Sequence, residues 1–192
     1  MKNSTRILQQ SKNLPQIYKS QTKEQWKSTF IEKNKLSIPT SKRSLLLIID
    51  LSETEDSVEK LVKEELILAL EATKINTIAI GENPHAKEYK YIHWVEKEEK
   101  KSAIQAADLY IWPEEAEEFT SMHFGTIVLS KEGKHIDQYD AYKEIGDGFV
   151  SKQMNHWTLF ADIIRIEETF KFAYDWKHIC QNAMDKSYEK LL

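Results

Sequence analysis

The stretch that most narrows the fold of this chain is Leu45-Leu46-Leu47-Ile48-Ile49. A run this continuously apolar has no polar face to offer solvent. It reads as a central parallel strand buried on both faces. The pattern after it alternates. From Glu53 to Thr73 the period is helical, and Val58, Leu61, Val62, Leu66, Ala69 and Leu70 are expected to share one core-facing side. Ile75 to Gly81 reads as a second strand and Tyr91 to Val95 as a short third. Glu96 to Ala106 is helical with an acidic start, as suits a helix N-terminus. Leu109 to Trp112 is the fourth strand, Glu114 to His123 a helix and Thr126 to Leu129 the fifth strand. Gly146 to Val150 turns into a last short strand. Trp157 to Tyr174 and Trp176 to Lys186 are closing helices. Strands alternating with helices predict an α/β, Rossmann-like domain, its central, mainly parallel sheet flanked by helices.

That domain is expected over residues 41–192. Residues 1–40 are rich in Lys, Gln, Ser, Thr and Asn and read as a polar arm. Ile17, Trp26, Phe30 and Ile31 predict a short helix in it, within Thr22 to Lys33.

Composition excludes several roles. The formal net charge is -4 and the pI about 5.9. A duplex binder would show a clustered Lys/Arg stripe, so no nucleic-acid partner is expected. No run approaches the roughly 18 apolar residues of a membrane span, and Met1 leads into a polar stretch without a secretory signal. A cytoplasmic protein without a membrane partner is expected. The single Cys180 excludes an internal disulfide and reads as a buried structural thiol. The six histidines show no ligand spacing, so neither a metal nor another cofactor is expected. Trp94, Trp112, Trp157 and Trp176 read as core or closing-helix residues; a Trp that stacks on carbohydrate is the alternative.

In an open parallel sheet, ligands sit at the carboxyl ends of the strands, where helix N-termini attract phosphate. The chain places Glu53, Glu55 and Asp56 after the first strand and Glu82 after the second. Glu114, Glu115, Glu117 and Glu118 follow the fourth. The nearest opposing charges expected are Lys131 and Lys134, on either side of Gly133 after strand five. A nucleotide diphosphate would meet repulsion at such a rim, and each unfavourable pair costs up to about 1 kcal/mol. The same acids can also cap helices, and the two roles are compatible.

Several segments carry a family resemblance. Ala106-Ala107-Asp108-Leu109-Tyr110-Ile111-Trp112-Pro113, then Ser121-Met122-His123-Phe124-Gly125-Thr126, resembles the C-terminal domain of glycogen and starch synthases, which are two-Rossmann-domain (type B) glycosyltransferases. Ile80-Gly81-Glu82-Asn83-Pro84, Gly146-Asp147-Gly148-Phe149, Trp176, Asn182-Ala183-Met184 and Ser187-Tyr188-Glu189-Lys190 extend the likeness in the same order. The resemblance implies one half of a hexosyltransferase that uses a sugar nucleotide. The positions that would carry its chemistry depart from the pattern. Asp50 and Glu55 stand where the resemblance implies Arg and Lys for the diphosphate. Lys134 replaces a glycine beside Gly133, and the Glu-Pro-x-Gly-Leu segment expected after Pro113 is missing. These departures imply a degenerate site with no catalytic residues and a binding or scaffold module. Its expected partner is a protein, either a separate transferase subunit or a second copy, and carbohydrate is a further possibility. The alternative is the nucleotide-sugar-binding half of a split glucosyltransferase acting on an α-glucan with a separate N-terminal subunit.

Overall fold

A computed structural model describes residues 20–38, 44–52, 56–83, 88–133 and 135–191. Its elements are α1 (Ser20–Lys33), β1 (Leu46–Asp50), α2 (Ser57–Thr73), β2 (Asn76–Ile80), β3 (Ile92–Val95), a 3-10 turn (Lys97–Glu99), α3 (Lys100–Ala106), β4 (Leu109–Ile111), α4 (Glu115–His123), β5 (Ile127–Lys131), β6 (Phe149–Ser151), α5 (His156–Lys171) and α6 (Ala173–Leu191). The six strands form one sheet in the order β3-β2-β1-β4-β5-β6, with every neighbouring pair parallel. The chain therefore has the expected Rossmann-like α/β architecture, and its sheet is wholly parallel.

Each strand of the centre is buried on both sides because a helix layer covers each face. Leu47, Ile49, Leu109, Ile111 and Leu129 point to the side packed by α2 and α5. Leu46, Ile48, Ile78, Ile80 and Tyr110 point to the side packed by α1 and α3. Burying each Leu or Ile fully contributes about 1.5–3 kcal/mol, so the Leu and Ile side chains of β1 together contribute roughly 6–12 kcal/mol. Asp56 caps α2 by accepting from the Val58 and Glu59 N–H groups at 2.8 and 3.4 Å. Asn155 caps α5 through the Thr158 N–H at 2.9 Å.

Three expectations shift in detail. Strand β4 ends at Ile111 rather than Trp112, because Trp112 turns into the left-handed region (φ 49°) and Pro113 follows. Helix α2 faces the core with Leu66, Ile67 and Leu70, whereas Val58 and Leu61, expected on that face, are exposed. Trp157 stands, as expected, in a closing helix, at the start of α5, but is 71% exposed rather than in the core.

Helix α1 joins the domain through Phe30, Ile31 and two buried lysines. Lys27 pairs with Asp108 at 2.8 Å and donates to the Ser44 carbonyl. The same Asp108 carboxylate accepts from the Leu46 N–H, tying α1 to the amino ends of β1 and β4. Lys23 donates to the Thr126 hydroxyl at 2.7 Å. Burial lowers the Lys23 pKa from 10.5 to about 8. In the unfolded chain Lys23 titrates near 10.5, so between the two values only the unfolded state holds the proton. Its contribution to stability is thus fully present above 10.5 and lost as pH falls through about 8. Urea unfolding from about pH 8 to about pH 10 is therefore expected to favour the wild type progressively over Lys23→Met. Parallel pH profiles for the two proteins would contradict this.

Candidate functional site

The carboxyl ends of the strands gather the first residue of α3, the first turn of α4 and the loop after β1. Here Asp50, last in β1, is 5% exposed. One of its carboxylate oxygens accepts from the Ser52 N–H and hydroxyl at 2.8 and 2.7 Å. The other meets the Lys100 ammonium at 2.5 Å. Lys100 also pairs with Glu117 on α4. Glu117 in turn accepts from the Tyr110 hydroxyl at 2.8 Å. Burial, reinforced by Asp50 and Glu117, pushes that hydroxyl far above its ordinary range, so Tyr110 stays a donor. A second lysine, Lys63 of α2, is buried; it donates to the Asp50 carbonyl at 2.9 Å and pairs with Glu59 at 2.7 Å. Its ammonium also lies 5.7 Å from the centre of the Trp112 ring.

The nearest positive charges to Asp50 are thus Lys63 and Lys100, not the expected Lys131. Lys131 is exposed at the end of β5. Sequence reasoning missed Lys63, Lys100 and Tyr110. A signal for Lys63 was present: it precedes Leu66, Ile67 and Leu70 by three, four and seven residues, in register with the core face. Lys100 follows an acidic run and carries no such mark.

The other expected rim residues are spread out. Asp56 is the α2 cap, and Glu82 is exposed after β2. Glu114 precedes α4 without a side-chain cap bond. Glu115 pairs with His135 at 2.8 Å on the surface. Glu118 is buried and accepts from the Ser130 hydroxyl at 2.6 Å. Gly133 is exposed with φ 85°. Glu53, Glu55, Pro84 and Lys134 lie outside the described residues. Among the described residues no group of three His, Cys, Asp or Glu side chains is placed to hold a metal. No helix of the described residues is long and apolar enough to cross a membrane.

Tyr110 and Trp112 of the cluster belong to the stretch that carries the family likeness, whereas its later segments sit elsewhere. Gly146 has φ 94°, and a Cβ there would lie 2.4 Å from the Gln138 carbonyl. Asn182 of α6 donates to the Gly146 and Glu144 carbonyls at 2.9 and 3.2 Å. Lys186 bridges Asp137 and Asp147. Trp176 stacks on Phe149 and meets the edge of Phe170. Together they brace α6 against the segment that leads into β6. A pocket of about 390 Å³ lies next to that brace, between β6, Gln138–Ala141 and the second half of α5, away from the Asp50 cluster.

No protein-family profile and no curated protein matches the sequence. Solved structures do match. A glycosyltransferase from Rickettsia africae has a TM-score of 0.59 at 13% identity, over 84% of this chain and 46% of that one. The C-terminal domain of LpcC, a group 1 family glycosyl transferase from Francisella tularensis, has a TM-score of 0.56 at 11% identity, over 86% and 92%. WaaG, a glycosyltransferase involved in lipopolysaccharide biosynthesis, has a TM-score of 0.55 at 16% identity, over 84% and 46%. The chain spans about half the length of two of these and nearly all of the isolated C-terminal domain. Its fold is that of one Rossmann-like half of a type B glycosyltransferase.

Lys100 is the keystone of the rim cluster, and its removal would leave two carboxylates facing each other across a poorly hydrated gap. Lys100→Met is expected to cost about 3 kcal/mol in urea unfolding, and Asp50→Asn in the same background to recover part of it. A loss below about 0.5 kcal/mol, as for an ordinary surface change, would contradict the clamp.

Proposed function

We propose that this chain is a non-catalytic glycosyltransferase-like module, related to glycogen and starch synthases, that binds another protein in the cytoplasm. The observation that carries the reading is the clamp of Lys100 between Asp50 and Glu117. In this architecture a sugar-nucleotide diphosphate belongs at the carboxyl ends of the strands. There the Lys100 charge is already taken up by two carboxylates, which leaves the clamp itself net negative. An incoming diphosphate would have to separate a pair in which both side chains are about nine-tenths buried. Breaking such a pair costs on the order of 3–5 kcal/mol, more than one new ammonium–phosphate contact at a partly hydrated rim returns. Asp50, at the position where the resemblance implies an arginine, thus turns a would-be phosphate ligand into an internal counter-ion.

The second reading keeps an activity: the nucleotide-sugar-binding half of a split glucosyltransferase that works on an α-glucan with a separate N-terminal subunit. Lys63 and Lys100 favour it, since two ammonium groups do reach the rim. Both readings propose a protein partner, and the second adds carbohydrate.

Calorimetric titration of the chain with UDP-glucose and with ADP-glucose, at millimolar ligand, is expected to give no saturable heat. Micromolar binding by the chain alone would overturn the non-catalytic reading. Glucose transfer to glycogen after addition of a lone N-terminal transferase domain would establish the second.

A further inference from the structure

Helix α2 carries two apolar faces, and only one of them meets the core. Leu66, Ile67 and Leu70 pack inward. On the opposite side Val58, Leu61 and Leu68 are 68%, 55% and 46% exposed. With Glu65 between them and exposed Ala72 beyond, they recur at steps of three and four residues. That is the spacing of a coiled-coil seam, on the side of a surface helix that is ordinarily polar. The start of α5 widens the patch. His156 Nδ1 lies 2.6 Å from Glu65 Oε2, and the neighbouring Trp157 side chain is exposed. The charges set into and beside the seam are Glu64 and Glu65, the latter in contact with His156; exposed Lys60 stands one turn before Glu64, farther round the helix from the seam, and Lys63 is turned into the core.

We propose that this seam docks an amphipathic basic helix of a partner protein, with apolar residues at three- and four-residue steps and Lys or Arg flanking them. Such a helix fills the open a/d layers and meets Glu64 and Glu65 with opposite charge. A second copy of the chain fits less well. An antiparallel twofold that sets Val58 against Leu68 also sets Leu61 against Glu65 and brings the two Glu64 side chains together. The proposal gives the binding-module reading its partner, but on a different surface from the rim. A nucleotide that bound at the rim would leave it standing, and a failed docking test would leave the clamp standing.

The test is fluorescence anisotropy of a labelled synthetic helix about three heptads long, with Leu at a and d and Lys at e and g, titrated with the full chain. Saturable micromolar binding is expected, weakened at least about tenfold by Leu61→Ser/Leu68→Ser, which removes apolar surface without changing charge. A matching peptide with Glu in place of Lys is expected not to bind, and Glu64→Lys/Glu65→Lys is expected to admit it. The proposal falls if neither peptide binds the wild type, or if the serine variant binds the Lys peptide as tightly as the wild type does. It falls also if sedimentation velocity shows a dimer that the serine variant dissolves, since the seam would then belong to a second copy.

Discussion

An ammonium group held between two carboxylates closes the carboxyl end of the sheet. Lys100 stands at the first residue of α3, Asp50 at the last of β1 and Glu117 in the first turn of α4. Three elements that are distant in sequence are thereby tied at the crevice where an open parallel sheet ordinarily receives its ligand. Tyr110 extends the tie into the core below, and Lys63 fixes the Asp50 carbonyl from the other helix layer. Charge compensation is thus internal. At this end of the sheet the positive charge of Lys100 serves the domain's own cohesion.

The positions that match the glycosyltransferase pattern and those that depart from it do different physical work. Gly146, Asp147, Asn182 and Trp176 brace the last helix against the approach to β6, where a side chain on Gly146 would strike backbone. Such requirements are geometric and persist whatever the domain binds. Asp50 faces the crevice, where geometry is satisfied by any residue whose charge is balanced, and here Lys100 balances it.

The layering was legible because its signals are local. Leu45 to Ile49 could only be a strand covered on both faces, and the alternation after it left one class of fold. The rim was legible in half. Asp50 and Glu117 meet at the carboxyl end of the sheet, while Asp56, Glu115 and Glu118 are spread over other contacts; the lysines Lys63 and Lys100 arrive from helices through tertiary contact. Lys100 and Asp50 come from separate helix and strand elements far apart in the sequence, a pairing no periodicity encodes. The outward face of α2 was misread for a related reason: Val58 and Leu61 lie within the helical apolar set, and period alone does not say which of two apolar stripes meets the sheet.

The state of Lys100 in the presence of nucleotide separates an occupied clamp from a latent phosphate site. A crystal structure of the chain grown with millimolar UDP reads it directly. The expected result is Lys100 still seated between Asp50 and Glu117, with no nucleotide density at the carboxyl ends of the strands. UDP bound there, with the Lys100 ammonium turned from the carboxylates onto its phosphates, would contradict the account.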